Sequence, residues 1–181
     1  MNNMKAENFY IISFSYKSLN LEEREEFVRT GYKNIMEEYF QRKEIKGYTA
    51  LETCLRVELY LETGENFDID MFLERMNASN TRIYSGKDAV KYLLTVICGL
   101  DSVIKGEDQI LSQIKKTYLE YMENNKTSAL LNIIFNKAIE TGKKFRSVSG
   151  ISRKNLSLDS IAVKFIKSKF SNLEDKNIFI I

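Results

Sequence analysis

Extended and helical patterns follow one another in a distinctive order through the first 84 residues of the chain. Apolar or alternating runs predict four strands, at residues 9–14, 48–51, 57–61 and 81–84. Apolar residues at helical spacing predict one helix over about residues 20–40 and another over about 68–76. The order strand, helix, strand, strand, helix, strand predicts an α+β fold of the ferredoxin-like sandwich class, in which helices cover one face of an antiparallel sheet.

The first and third predicted strands are expected to differ in burial. Residues 9–14 are apolar on both faces, which predicts a central strand. Residues 57–61 alternate between apolar and polar side chains, which predicts a strand with only one buried face.

Beyond residue 85 the patterns change to those of long helices. Apolar residues at helical spacing predict four of them, over about residues 88–98, 107–122, 128–147 and 159–170. Cys98 falls within an apolar run and is expected in the core. Residues 177–181 predict a buried strand, typical of the start of a further domain. We therefore expect one domain over residues 1–152, followed by a linker helix and the first strand of a truncated domain over residues 153–181.

The composition of the chain excludes several kinds of site. The 181 residues carry a net charge of +2, so affinity for nucleic acid or a membrane would have to come from local clusters. The chain has two cysteines and no histidine, which excludes a disulfide framework, His-based metal sites and Ser–His or Cys–His dyads. No apolar run approaches the ~18 residues of a membrane span. We expect a cytoplasmic protein with reduced thiols, no metal site and no membrane association.

Cys54 is the candidate nucleophile of this sequence. It lies with Leu55 and Arg56 in the predicted connection between two strands, where a rigidly held side chain can still be reached by a substrate. A cysteine thiolate is a good attacking group, and no other residue of the chain offers a nucleophile so plainly. The alternative is that Cys54 is a small apolar residue at a strand end, because free cysteine is among the most buried residue types.

A basic stretch near the end of the chain is the second candidate site. Residues 141–158 contain no acidic residue and carry the cations Lys143, Lys144, Arg146, Arg153 and Lys154. Such a cluster could bind phosphates. The alternative is a solvated helix end whose cations suit the helix dipole.

Several motifs resemble those of the glutamyl-tRNA reductase family. Residues 53–56, Thr-Cys-Leu-Arg, resemble the family motif Thr-Cys-Asn-Arg. Residues 99–113, which contain Gly-Leu-Asp-Ser and then Gly-Glu-Asp-Gln-Ile-Leu, resemble the family segment GLDSMVLGEPQILGQ at the same internal spacing. Further similarity covers residues 138–151, 157–163 and 176–181, the last of which resemble the strand that in the family leads into a glycine-rich dinucleotide loop. The resemblance therefore covers essentially the whole chain.

This resemblance implies roles for individual residues. It implies that Cys54 attacks the ester carbonyl of glutamyl-tRNA and forms a glutamyl thioester, which NADPH reduces to glutamate 1-semialdehyde in the first step of tetrapyrrole (porphyrin) synthesis. It implies that Arg56 binds a glutamate carboxylate, for which its planar fork of donors is suited. The remaining substrate-binding positions that it implies are Thr53, Leu55, Ser102, Glu107, Asp108, Gln109 and Gln113.

Several positions depart from the family pattern. Leu55 stands where the family has asparagine, and Asp108 where it has proline. Tyr92 occupies the position of a family histidine that is important for activity, and Tyr16 occupies that of a second histidine. Tyr92 stays a catalytic candidate, but a tyrosine has an ordinary pKa of about 10 and does not titrate near neutral pH as histidine does.

The resemblance also implies partners outside this chain. NADPH would be bound by a downstream domain, with no cofactor site in these residues. The full-length protein would be a homodimer that binds glutamyl-tRNA and has glutamate-1-semialdehyde aminomutase as a further partner. Two other hypotheses stay open: a divergent, non-catalytic module that binds tRNA or another partner, and a structural protein whose exposed last strand pairs with another chain.

Overall fold

The computed structural model describes residues 6–107, 109–151 and 158–170. After a short 3-10 turn, the strands in this part of the chain are β1 (Phe9–Ser15), β2 (Ile45–Glu52), β3 (Arg56–Thr63) and β4 (Arg82–Ser85). The helices are α1 (Leu21–Arg29), α2 (Tyr32–Gln41), α3 (Ile69–Arg75), α4 (Gly86–Ile97), α5 (Gln109–Glu123), α6 (Ala129–Ser149) and α7 (Leu158–Lys169).

The strands form one antiparallel sheet in the order β2–β3–β1–β4. This order, with helices between β1 and β2 and between β3 and β4, is that of the ferredoxin-like sandwich, so the predicted fold class is confirmed. β1 and β3 are central, and their register places Ser13 opposite Glu58 and Ser15 opposite Arg56. Polar residues of the two central strands therefore lie side by side near one end of the sheet.

Helices cover both faces of this sheet, whereas the sequence predicted cover on one face. Side chains of α1, α2 and α3 pack with Ile12 and Leu59 on the first face. Side chains of α4, α5 and α6 pack with Ile11 and Tyr60 on the second face. The prediction of a half-buried strand at residues 57–61 is wrong, because the long helices fold back over the face that carries the alternate residues of β3.

The helix predicted over residues 20–40 forms as two helices. Asn20 caps α1 in a reciprocal arrangement: its side chain accepts from the Glu23 amide at 2.9 Å, and the Glu23 side chain accepts from the Asn20 amide at 2.7 Å. Gly31 has a φ of +77°, a left-handed conformation that ends the first helix before α2 begins at Tyr32. The single-helix prediction is wrong because this glycine interrupts an otherwise continuous apolar period.

The other predicted elements form close to their expected bounds. Asp68 caps α3 by accepting from two backbone amides of its first turn. Cys98 ends α4 and is buried, as predicted. The boundary at residues 152–153 and the strand at residues 177–181 lie outside the described residues and stay predictions. Across the ranges given above, no helix is both long and apolar enough to cross a membrane.

Candidate active site

Cys54 lies in the tight turn between β2 and β3, and its side chain is exposed. Thr53 shapes this turn, since its amide donates to the carbonyl of Arg56 at 2.8 Å. The Thr53 hydroxyl oxygen accepts from the amides of Leu55 at 3.3 Å and Arg56 at 3.1 Å. The turn therefore presents the thiol to solvent on a fixed backbone, and the alternative of a buried Cys54 is wrong.

Two further contacts fix the turn from outside. Arg24 of α1 is buried, and its terminal nitrogens donate to the carbonyls of Cys54 at 2.8 Å and Leu19 at 2.6 Å. The amide of Tyr16, at the position of the second family histidine, donates to the carbonyl of Leu55 at 2.9 Å. The location of the thiol is thus set by hydrogen bonds to its backbone.

A groove of about 550 Å³ opens beside Cys54 on the side of the sheet that α1 covers. We call it the α1 groove. Its walls are α1, the end of β2 and the turn, and its lining includes Leu21, Arg24, Val28, Arg29 and Glu52. The volume is within the range of small-molecule pockets, so the thiol borders a surface that can accept a ligand.

Arg56 was predicted to lie in the connection with Cys54, but it is the first residue of β3, and only 2% of its surface is exposed. One terminal nitrogen donates to Oε1 of Glu58 at 2.9 Å, and the other donates to Asp101 at its carbonyl oxygen (3.0 Å) and at Oδ2 (3.2 Å). Burial opposes the charged guanidinium, but the neighbouring Glu58 leads the interactions that raise the pKa of Arg56 above its usual value. A substrate carboxylate would therefore have to join or displace these internal partners.

Glu58 is the centre of a buried polar cluster on the side of β3 that α4 covers. Its side chain is 0% exposed, and its Oε1 accepts from Arg56, from the Ser13 hydroxyl at 3.2 Å and from the Tyr92 hydroxyl at 2.7 Å. The Tyr60 hydroxyl donates to its second oxygen. We call these five residues the Glu58 cluster. Four donors, one of them cationic, offset the cost of removing this carboxylate from water.

Tyr92 reaches this cluster from α4, so the fold brings the position of the family histidine next to Arg56. Its ring stacks on Tyr84 with centroids 4.0 Å apart, and its hydroxyl lies 3.4 Å from a terminal nitrogen of Arg56. Burial, and after it the charge of Glu58, raises the pKa of Tyr92 above its ordinary value. The phenol therefore stays protonated at neutral pH and donates a hydrogen bond instead of acting as a base. Its catalytic role stays a prediction.

The loop that follows α4 meets the Glu58 cluster through Asp101. This carboxylate binds Arg56 on one oxygen and the ammonium group of Lys17 on the other. Ser102, the next residue, is buried, and its hydroxyl has no hydrogen-bond partner within the described ranges. A predicted substrate-binding residue thus lies beside the contact that joins the loop to Arg56.

The base of this loop is closed by backbone and side-chain bonds. The amide of Gly106 donates to the carbonyl of Gly99 at 3.0 Å, and both glycines adopt a positive φ that other residues rarely take. Arg146 of α6 is buried and donates to the carbonyls of Gly106 at 3.2 Å and Ile97 at 3.0 Å. The two sides of the loop are therefore tied together and to α6.

This role of Arg146 changes the interpretation of the basic stretch. Lys143 and Lys144 are exposed on α6, but Arg146 is buried against the loop and is not available to phosphates. Arg153 and Lys154 lie outside the described residues. The expectation of an accessible cluster that includes Arg146 is wrong, because this side chain supports the loop carrying Asp101 and Ser102.

Of the remaining predicted site residues, Glu107 precedes α5, and Gln109 and Gln113 lie in its first turns. Glu107 is half-buried, and Gln109 and Gln113 are exposed. Asp108 lies outside the described residues. Asp101, in the loop before this region, hydrogen-bonds to Arg56, the residue that follows the Cys54 turn. That Glu107, Gln109 and Gln113 contact the substrate stays a prediction.

Glu58, Asp101 and Lys17 are among the polar residues of this region that were not predicted from the sequence. Residues two apart in a strand share a face, so Arg56 and Glu58 could have been recognised as a pair from their spacing. Lys17 and Asp101 are 84 positions apart, and no local pattern connects them.

The fold and this site together define a class: an α+β domain that presents a cysteine on a hairpin turn beside a buried arginine–carboxylate cluster. Residues 12–149 match the family described as glutamyl-tRNAGlu reductase, N-terminal domain. The chain belongs to this family.

Relatives of known name agree with this result. Glutamyl-tRNA reductase of Fusobacterium nucleatum is 49% identical over 178 residues, which are 98% of this chain and 54% of that protein. That of Sulfolobus acidocaldarius is 32% identical over 194 residues, covering 99% of this chain and 44% of the relative. The solved structure of glutamyl-tRNA reductase from Methanopyrus kandleri matches with a TM-score of 0.75 and 28% identity, over 94% of this chain and 42% of that one. The chain thus spans about half the length of the curated relatives it matches.

Proposed function

We propose that this chain is the catalytic, substrate-recognising part of a glutamyl-tRNA reductase, in which the thiolate of Cys54 takes the glutamyl group from glutamyl-tRNA. The observation that supports this most is the exposed thiol of Cys54, held on a backbone that Thr53, Arg24 and Tyr16 fix by hydrogen bonds. The names of the relatives supply the substrate class.

In the proposed reaction the sulfur of Cys54 attacks the carbonyl carbon of the glutamyl ester. A C–S bond forms, the C–O bond to the terminal ribose breaks, and the ribose oxygen leaves and takes up a proton to give free tRNA. The product is a glutamyl thioester on Cys54. Exchange of oxygen for sulfur makes the carbonyl carbon a better acceptor for the hydride that follows.

The polar groups beside the turn would orient the glutamyl group. We propose that Arg56 contributes its charge to binding a glutamate carboxylate while it keeps its contacts with Glu58 and Asp101. Tyr92, whose hydroxyl donates to Glu58, would position Arg56 through that carboxylate. The other proposed substrate contacts are those implied by the family motifs: Thr53, Leu55, Ser102, Glu107, Asp108, Gln109 and Gln113.

The described residues do not fit a dinucleotide. Their sheet is entirely antiparallel and lacks the parallel strand, glycine-rich loop and helix that hold a pyrophosphate. We therefore propose no reduction by this chain alone. Reduction of the thioester by NADPH to glutamate 1-semialdehyde, formation of a homodimer and contact with glutamate-1-semialdehyde aminomutase are proposed for a longer, cytoplasmic protein of the length of the relatives.

The proposal is tested by deacylation of glutamyl-tRNA in the absence of NADPH. Water should slowly release glutamate from the thioester, so the 181-residue chain should liberate labelled glutamate from glutamyl-tRNA. Cys54→Ser should lower the rate of release by about a hundredfold or more, because a hydroxyl is a far weaker nucleophile than a thiolate. Cys98→Ala, which removes the buried thiol, is the matched control and should keep the activity.

Two results would count against this function. Equal rates for Cys54→Ser and the unmodified chain would exclude the thiol as nucleophile. Salt-dependent binding of glutamyl-tRNA without any release of glutamate would instead indicate a non-catalytic binding module.

A further inference from the structure

The Cys54 turn lies where two surfaces of the sheet meet. Successive residues of a strand face opposite sides, and β3 begins at Arg56 directly after the turn. Arg56 faces the side of α4, where it contacts Tyr92 and Asp101. Val57 packs on the side of α1 and lines the α1 groove. The thiol therefore has a charged cluster on one side and an open groove on the other.

The proposed substrate also has two parts, joined at the carbonyl that the thiol attacks. Glutamate lies on one side of the ester and the terminal ribose and base of the tRNA on the other. This inference rests on the proposed function, in which the glutamyl group binds on the side of Arg56. The nucleoside, on the other side of the ester carbonyl, then has to extend toward the α1 groove. We infer that the α1 groove binds the 3′-terminal adenosine of the aminoacyl-tRNA.

The apolar lining of the groove fits a nucleobase. Leu21 and Val28 are seven residues apart on α1, which places them on one face of the helix. They are 53% and 38% exposed, although both are large apolar side chains. A flat base packed against them would cover apolar surface that is otherwise in contact with water.

The polar lining of the groove fits a ribose and the adjoining phosphate. Arg24 lies between the two apolar residues, and its buried Nε has no hydrogen-bond partner among the residues that the structure describes. Glu25 and Glu52 also line the groove. Oε1 of Glu52 already binds Tyr32 and Lys33, so its second oxygen and the carboxylate of Glu25 could accept bonds from ribose hydroxyls. Arg29 is exposed, and its contacts with Glu25, 3.2 Å to the carbonyl oxygen and 3.5 Å to the carboxylate, lie at the surface, so its side chain could turn toward a phosphate.

The charge balance of the groove favours this occupant over a polyanion. Two arginines face two glutamates in the lining, so the net charge is close to zero. A lining without net charge gives a long phosphate backbone or an acidic peptide no electrostatic attraction, whereas a nucleoside with one adjoining phosphate needs only one cation. The groove volume of about 550 Å³ also falls in the range that holds small ligands.

Filling the groove tests this inference. Val28→Trp should block it and Leu21→Glu should remove its apolar wall, while both positions are exposed enough to tolerate the change. The quantity measured is a ratio: the rate constant for transfer of the glutamyl group from glutamyl-tRNA to Cys54, divided by the rate constant for alkylation of Cys54 by iodoacetamide. We expect the ratio to fall about tenfold in each variant, the size of effect that loss of one base contact produces.

Val148→Trp is the matched control, because Val148 is 78% exposed on α6 and does not line this groove. It should leave the ratio unchanged. An unchanged ratio in both Val28→Trp and Leu21→Glu would overturn the inference.

A second experiment tests nucleotide binding in the α1 groove independently of the proposed glutamyl transfer. Adenosine 5′-monophosphate at millimolar concentration should slow alkylation of Cys54 in the unmodified chain, and should not do so in Val28→Trp. This experiment needs no glutamyl transfer, so protection by the nucleotide would support the groove even if Cys54 accepted no glutamate. Absence of protection in the unmodified chain would count against the groove.

Discussion

The hydroxyl of Tyr92 donates a 2.7 Å hydrogen bond to Oε1 of Glu58, the same oxygen that accepts from Arg56 at 2.9 Å. One carboxylate oxygen thus links α4 to the strand that follows Cys54. Tyr92, at the position of the family histidine, hydrogen-bonds to Glu58, and Glu58 in turn binds Arg56. We expect it to act as a positioning residue.

Tyr92→Phe should therefore destabilise the chain. The change keeps the ring stacked on Tyr84 but removes one donor from a fully buried carboxylate, which should lower the free energy of unfolding by about 1–3 kcal/mol. Urea unfolding measures this. Tyr84→Phe, which preserves the same stack, is the control, with an expected change within about 0.5 kcal/mol. Equal losses in the two variants would contradict the role of the hydroxyl.

Tyr92→His should make acylation depend on pH near neutrality. Burial, with the charge of Glu58, raises the pKa of Tyr92, so its proton stays in place as the pH rises through 7. An imidazole beside the same carboxylate would gain or lose a proton between about pH 6 and 8. The ratio of variant to unmodified acylation rates should change across this interval. A ratio that stays constant would show that residue 92 does not influence the reacting groups.

Glu58→Gln should lower the free energy of unfolding by more than any single substitution at an exposed ion pair. It leaves the buried charge of Arg56 with Asp101 as its remaining carboxylate partner, and loss of one partner of a buried pair typically costs about 3 kcal/mol or more. The double variant Arg56→Met with Glu58→Gln should lose less than the sum of the two single variants. Additive losses in denaturant unfolding would mean that the two side chains do not depend on each other.

Glu37 should make the stability of the fold sensitive to acid. A hydrogen bond from Lys126, with others from Tyr48 and Gln41, lowers the pKa of Glu37 from 4.5 to about 2. Because the pKa is lower in the folded state, the stabilisation is complete above pH 4.5 and disappears as the pH falls toward 2.

Glu37→Gln should therefore be less stable than the unmodified chain near pH 6, with a difference that narrows as the pH is lowered below 4.5. Thermal unfolding across this interval measures the difference. Glu65→Gln, at an exposed position after β3, should show little difference at any pH. If the difference in stability between Glu37→Gln and the unmodified chain did not narrow in acid, the lowered pKa of Glu37 would be contradicted.

Local patterns were sufficient to predict the sheet and the Cys54 turn. Periods of two and 3.6 residues identify strands and helices, and the order of elements restricts the topology to the sandwich that the structure shows. The same patterns did not reveal the cover on the second face, because it depends on helices that fold back from residues 86–149.

The candidate site was predictable only in part for the same reason. Cys54 was selected from its place in the predicted connection and Arg56 from a short family motif, but the contacts that enclose Arg56 include Asp101, 45 positions away. Glu58 is the neighbour of Arg56 on the same face of β3. The sequence pattern placed Glu58 on a solvent-facing side, because it did not predict the second layer of helices. Local spacing identifies faces, and long-range contacts decide whether those faces are buried.

The most direct test of the central claim is the location of the glutamyl group after a single turnover. The 181-residue chain is mixed with glutamyl-tRNA without NADPH, quenched in acid, digested and analysed by mass spectrometry. A glutamyl adduct should be found on the peptide that contains Cys54, should be removed by hydroxylamine as a thioester is, and should be absent from Cys54→Ser but present in Cys98→Ala. An adduct that persists in Cys54→Ser, or one located on Cys98, would contradict the assignment of Cys54 as the nucleophile.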